Sequence, residues 1–271
     1  MGTVRFKSFS SGSCGNCYFL GIFRDASEGR RPLCEAGILI DAGVSPRRVK
    51  KELAFDGLSY DDFSAVLVTH DHMDHIRSIG SFCKHVCKPV WATPLLHKGM
   101  SRHYVTGEYL PRYKREFAPG WNEVVPGRIK VRYFEVPHDA TQTLGFAILL
   151  DSYRYVHITD CGRMTREALE WCMQAETVTL ESNYDPHMLA HGPYPLELQK
   201  RIADGHGHLS NGECALALSQ FAHEGLRNIF LCHLSEHNNT PELALRESAP
   251  FAGSARLLAL PRQTPSPLII L

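Results

Sequence analysis

Short β-like runs bracket a polar turn at the start of the chain. Val4 to Phe9 and Cys17 to Phe23 are rich in β-branched and aromatic residues and flank the Ser/Gly segment SSGSCGN. A third run, Gly37 to Asp41, is ended by Ala42-Gly43, so the opening reads as a strand meander. The charged, turn-forming stretch Arg24 to Pro32 predicts an exposed hairpin loop. A helix is expected from Ser45, with Pro46 at its first position, and then a buried strand over Ala65 to Thr69. Further on, apolar runs at Ile129 to Val136, Phe146 to Leu150, Tyr155 to Thr159 and Thr177 to Glu181 alternate with helical patterns at Thr165 to Gln174 and Asn211 to Glu224. The pattern predicts an α/β chain in which strands dominate. No internal repeat or low-complexity linker marks a boundary, so residues 1–271 are expected to form one domain, with the stretch after Leu260 as a terminal segment.

Composition narrows the class. A hydrophobic fraction of 44% and a charged fraction of 21% are ordinary for a globular protein. No run approaches the ~18 apolar residues of a spanning helix, and the N-terminal segment lacks the apolar core of a leader, so no membrane role and a cytoplasmic location are expected. Nine scattered cysteines suit reduced thiols better than a disulfide framework, and Cys14 and Cys17 are read as packing around a turn. The 29 basic and 29 acidic residues cancel, so any polyanion site must be local. Fifteen histidines, several beside acidic residues, point to a metal site.

The chemistry concentrates where the strand Ala65 to Thr69 stops. His70, His72, Asp74 and His75 place four ligand-type side chains within six residues. Strand-like alternation would send His70, His72 and Asp74 one way. The offset of His75 breaks that alternation and lets one segment serve two neighbouring ions. Imidazoles and carboxylates without thiolate suit zinc, manganese or iron alike. Two divalent ions ~3.5–4 Å apart can acidify an attacking water and offset charge growing on a phosphoryl oxygen, so hydrolysis is the expected reaction class.

The motif His70-x-His72-x-Asp74-His75 resembles that of metallo-β-lactamase-fold hydrolases, and the resemblance extends over nearly the whole chain. Pro137-His138-Asp139, Thr159-Asp160-Cys161-Gly162 and Cys232-His233-Leu234-Ser235 are similar to the family's later motifs, and Asp41-Ala42-Gly43 to its first. The resemblance implies a four-layered αββα sandwich. It also implies that His70, His72 and His138 hold one ion, that Asp74, His75 and His233 hold the other, that Asp160 bridges them, and that Asp41 supports the site without being a principal ligand. The segments SSGSCGN, LESNYDPHML, GPYPLELQKRI, GHLSN and HLSEHNNTPELA resemble the bacterial YycJ/WalJ group, with His237 departing from the lysine- or glutamate-type residue expected there. That group implies a metal-dependent nuclease acting 5′-to-3′ on double-stranded DNA.

Glu181 and His208 resemble a glutamate–histidine pair of the related ribonuclease Z, which implies His208 as general acid, with Glu181 orienting it and Asp74 beside them at the reacting centre. For substrate contacts, the basic stretch Lys98 to Arg115 offers Arg112, Lys114 and Arg115 with interleaved tyrosines, and the turn around Ser13 and Asn16 offers backbone N–H groups. DNA is favoured over RNA as the partner; the oligomeric state is left open. Two alternatives stay open at this point: a cyclic phosphodiesterase or thioester hydrolase of the same fold, and a metal-stabilised regulatory or binding module without turnover.

Overall fold

The structure, a computed structural model, describes residues 2–24 and 32–271. The expected hairpin loop at Arg24 to Pro32 falls, apart from its two end residues, outside the described residues.

Among the described residues the strands are β1 (Gly2–Gly12), β2 (Gly15–Arg24), β3 (Leu33–Ile40), β4 (Val66–Leu67), β5 (Val90–Ala92), β6 (Lys114–Glu116), β7 (Asn122–Val125), β8 (Ile129–Glu135), β9 (Leu144–Leu150), β10 (Tyr153–Ile158), β11 (Thr177–Glu181), β12 (Asn228–Cys232), β13 (Arg256–Ala259) and β14 (Ile269–Ile270). They form two seven-stranded sheets, ordered β14-β1-β2-β3-β4-β5-β6 and β13-β12-β11-β10-β9-β8-β7. The helices are α1 (Pro46–Phe55), α2 (Met73–Ile76), α3 (Ile79–His85), α4 (Pro94–Met100), α5 (Leu110–Tyr113), α6 (Arg166–Cys172), α7 (Pro186–His191), α8 (Leu196–Ala203), α9 (Asn211–Phe221) and α10 (Pro241–Ser248). No helix among the described residues is long and apolar enough to cross a membrane.

The period-two pattern of the strands separates two cores. In β9, Phe146, Ile148 and Leu150 join the core between the sheets, while Ala147 faces the helix side. In β12, Phe230 and Cys232 face inward, and Ile229 and Leu231 pack with Ala168, Leu218 and Ala244 of α6, α9 and α10. Phe6 of β1 stacks on Phe230 across the sheets at 4.8 Å between ring centroids. Its removal to alanine costs about 3–5 kcal/mol by the usual behaviour of buried aromatics. Helices outside two facing sheets give the αββα sandwich.

Two of the expected elements change in the structure and one holds. The strand expected over Ala65 to Thr69 is reduced to Val66–Leu67, because Thr69 turns its N–H onto the Asp41 carboxylate at 2.8 Å rather than continuing the ladder. The helix from Ser45 forms as expected, with the Ser45 hydroxyl accepting from Arg48 N–H. The stretch after Leu260 is no loose tail. Ile269 and Ile270 pair with Phe6 and Arg5 and cover the edge of β1.

Candidate metal centre

Strand direction gathers the site. In the first sheet β3, β4 and β5 run parallel; in the second, β10, β11 and β12 run parallel, and β8 points the same way because both it and β10 oppose β9. The carboxyl ends of these strands therefore meet at one edge of the sandwich. Asp41 follows β3, His70 follows β4, His138 follows β8, Asp160 follows β10, Glu181 ends β11 and His233 follows β12. Asp41, Asp160 and His233 adopt left-handed backbone angles, with φ of 60, 49 and 55°. A non-glycine residue held there costs on the order of 1–3 kcal/mol, and such strain collects where a side chain must be aimed at a site.

Gly43 of the Asp41-Ala42-Gly43 turn is required by close approach, since a Cβ there would lie 1.6 Å from the Asp74 carbonyl oxygen. The turn ties its neighbours together: Ala42 N–H donates to His75 O, and Gly43 N–H donates to Asn16 O, both at 2.8 Å.

Each histidine of the cluster uses one ring nitrogen for support and turns the other inward. His75 donates from Nδ1 to Asp41 Oδ2 at 2.7 Å. His233 donates from Nδ1 to Glu181 Oε1 at 3.0 Å, and His138 from Nδ1 to the Gly207 carbonyl at 2.7 Å. His72 donates from Nε2 to the Asp139 carbonyl at 3.2 Å. His70 donates from Nδ1 to Thr69 Oγ1 at 3.1 Å, whose own proton goes to Asp41. This is the arrangement that fixes the tautomer of a metal-binding imidazole. The inward nitrogens cluster with the carboxylates: His75 Nε2 lies 3.1 Å from Asp160 Oδ2, and His233 Nε2 lies 3.4 Å from Asp74 Oδ2.

A divalent ion fits this donor set. His70 Nε2 is buried without any hydrogen-bond partner among the described residues, a costly state for a polar atom unless something else binds it. Donor atoms of His70, His72 and His138 lie within 4.8 Å of one another, as do those of Asp74, His75 and His233. A third such group, His70, His75 and Asp160, joins the first two.

The protein groups alone hold one another's charges. Burial drives His70 down, and the nearby His75 adds to it; burial likewise lowers His138. Burial also works against a charged His75, yet the carboxylates of Asp74, Asp41 and Asp160 lift it well above its ordinary value. In the same way His233 is raised to about 10 by Asp160, Asp74 and Glu181 against its burial. Asp74 and Asp160 are held well below the carboxylate range despite burial, through His75 and His233. Glu181 is buried yet lowered to about 2 by His208 and His233, and His208 is raised in return. Cations bound among these donors would take the place of such imidazolium protons.

Glu181 supports more than one group. Its Oε1 accepts from His208 Nδ1 at 2.8 Å as well as from His233, and its Oε2 accepts from the backbone N–H of Cys161 and Leu209. His208 thus stands beside the cluster, on the wall of a cavity of about 250 Å³ that Ser13, His72, His138 and His233 also line. Asn16 lies at the cluster, donating from Nδ2 to Asp74 Oδ2 at 3.1 Å.

Arg112, Lys114 and Arg115 are not brought to the cavities beside the cluster. Arg112 lies in α5, while Lys114 and Arg115 lie in β6, the edge strand of the first sheet. Lys114 pairs with Glu116 at 2.6 Å and borders a separate cavity with His97 and Pro111. Of the basic stretch, His103 is the residue that borders a cavity beside the cluster. Residues unmarked by sequence reasoning stand there instead: Asp139, Asn183, Tyr194 and Arg201. Their signals were available, since Asp139 follows His138 and Leu198, Arg201 and Ile202 recur at helical spacing.

Comparison with known proteins agrees with the fold. The profile of the β-lactamase superfamily domain matches residues 37–233. The chain is 31% identical over 241 residues, 89% of its length and 86% of the relative's, to a Bacillus anthracis protein named exodeoxyribonuclease YycJ. It is 29% identical over 240 residues, 89% of its length and 85% of the relative's, to one from Streptococcus pneumoniae named exodeoxyribonuclease WalJ. The solved metallo-β-lactamase fold protein YhfI from Bacillus subtilis superposes with a TM-score of 0.65 at 13% identity, covering 97% of this chain and 99% of that one. The chain therefore belongs to the β-lactamase superfamily, in its metallo-β-lactamase fold.

Proposed function

We propose that this protein is a two-metal phosphodiester hydrolase that removes nucleotides from DNA, acting 5′-to-3′ on double-stranded ends. In this reading His70, His72 and His138 hold one ion, Asp74, His75 and His233 the other, and Asp160 lies between them. The observation that carries it is the buried His70 Nε2 without a partner among the described residues, in a cluster of five imidazoles that each tie one ring nitrogen to an oxygen acceptor. The relatives named exodeoxyribonucleases favour DNA over other phosphodiesters. The nine unpaired cysteines suit a reducing, cytoplasmic setting.

Bound ions would supply positive charge against the phosphoryl oxygens and acidify the attacking water; zinc, manganese and iron all accept this ligand chemistry. The chain's own groups do the rest. Asp41 and Glu181 hold His75 and His233 in the tautomer that leaves Nε2 free. His208, anchored at Nδ1 by Glu181, has Nε2 for delivering a proton to the departing alkoxide.

The test is degradation of blunt-ended duplex DNA, single-stranded DNA and RNA by protein supplied with manganese or zinc, beside Asp160→Asn. Cleavage of DNA that disappears in the variant is expected. Turnover of a cyclic nucleotide or a thioester, with every polymer left intact, would keep the fold and discard the nuclease.

A further inference from the structure

Two cavities flank the metal cluster and share a wall. The one of about 250 Å³ is lined by Ser13, Tyr194, His208 and Ser235, among others. The other, of about 490 Å³, is bordered by Met73, His103 and Thr141. Both include His72, Asp139 and Arg201, so Arg201 stands at the junction, beside a histidine of the cluster.

Arg201 is held there by the fold rather than by chance. It lies on α8 between Leu198 and Ile202, which pack with Tyr184, Leu189 and Tyr194 in a small core of their own. The end of α8 is fastened to the cluster: His208 N–H donates to the Ile202 carbonyl at 2.9 Å, and Gly207 O accepts from His138. No side chain fits at Gly207, where a Cβ would lie 2.2 Å from the Ile202 carbonyl oxygen and 2.3 Å from that of Arg201. Movement of α8 would therefore disturb His138 and His208.

The guanidinium is also partly uncommitted. Its Nε and Nη2 meet Asp139 Oδ2, while Nη1 has no partner among the described residues, and the side chain is 62% exposed. Asp139 is itself shared, with Oδ1 3.4 Å from His138 Nε2. An exposed planar fork with Nη1 open among the described residues, whose carboxylate partner also stands beside the His138 imidazole, is suited to exchange that partner for a phosphate, which it binds bidentately. Half-buried Tyr194 borders the same cavity, steadied by the edge of His237 at 5.8 Å between ring centroids. A cation that grips the backbone beside an aromatic platform is the pairing by which proteins track a nucleic-acid strand.

We propose that Arg201 and Tyr194 form a strand clamp, Arg201 gripping the phosphate next to the one cleaved and Tyr194 stacking on the adjoining base. The clamp rests on the nuclease proposed above and names the part of that site that holds the polymer. It replaces Arg112, Lys114 and Arg115 in that role.

The test separates binding from cleavage. Binding of a fluorescent duplex with a frayed, cleavage-resistant phosphorothioate end to the metal-loaded protein is followed by anisotropy across a salt series, for wild type, Arg201→Ala, Arg201→Lys, Tyr194→Ala and Tyr194→Phe, with circular dichroism to verify folding. Arg201→Ala is expected to weaken binding about ten-fold and to lower the salt slope by about one. Arg201→Lys should restore the slope but only part of the affinity, since it keeps the charge and loses the fork, whereas an ion pair to Asp139 that served only the fold would leave the slope unchanged in every variant. Tyr194→Ala should weaken binding about ten-fold with the slope unchanged, and Tyr194→Phe should bind as wild type. No binding by wild type, or an unchanged slope in folded Arg201→Ala, overturns the clamp. Cleavage by the wild type, measured separately, decides the nuclease.

Discussion

The first sheet delivers His70, His72, Asp74 and His75 from one short segment after β4 that runs into α2, whereas the second delivers His138, Asp160, Glu181 and His233 singly, each from the end of a different strand. The two halves therefore depend on different physics. Within the segment, relative positions are set by a few covalently linked residues and by Asp41, which receives both Thr69 and His75. Among the strand ends they are set by the register of parallel ladders such as Ile158 opposite Leu180 and Glu181 opposite Cys232. A contiguous half should tolerate distant change better than one assembled from four separate strand ends.

The largest effect is expected where the halves join. Asp160→Asn should lower bound metal per chain, read by elemental analysis, and reduce DNA turnover about a thousand-fold or more. Retention of both ions in that variant would show the two halves binding independently. Next comes His208→Ala, expected to cut kcat by about 10²–10³ while metal content stays at the wild-type level. Loss of metal there would make Glu181 and His208 structural partners of His233 alone.

Asp41→Asn tests the contiguous half, with metal affinity expected to weaken about 10–100-fold in a competition titration. An effect as large as that of Asp160→Asn would erase the distinction between the halves.

The mildest effect concerns His157, inside the second sheet. Burial, reinforced by His75, pushes this imidazole down to about 3, so the folded protein keeps it neutral while the unfolded chain takes a proton below about 6.5. Its contribution to stability is therefore complete above that value and is lost as pH falls toward 3. Between pH 7 and 5 the loss is about 2 kcal/mol, measured as the change in denaturant midpoint of metal-free protein. His157→Phe should show a smaller change over the same interval; equal changes would remove His157 as the cause.

Legibility in the sequence followed the same division. The cluster after β4 stood out because its ligands are neighbours in the chain, α1 because Ser45 and Pro46 open it, and α9 because its apolar residues recur at helical spacing. Strand β4 was legible as an apolar run, but β5 and β6 are three residues long, too short for alternation to register, and β14 is fixed by pairing with a strand more than 250 residues away. Arg112, Lys114 and Arg115 stood out for local charge with interleaved tyrosines, a composition that says nothing about the edge of the sandwich on which a residue falls. The segments that form α7 and α8 showed in the sequence only as a resemblance to family motifs, and their place at the cavity did not show.

What the sequence determined by itself was the donor chemistry: which side chains can bind a divalent ion, and that most stand just after apolar runs. The tertiary structure decided the rest. Strand direction brought the carboxyl ends together, left-handed turns at Asp41, Asp160 and His233 aimed their side chains across the edge, and the fastening of α8 through Gly207 placed Arg201 beside His72. A residue's chemistry is local, but its neighbours are chosen by pairing and packing over long separations in the chain.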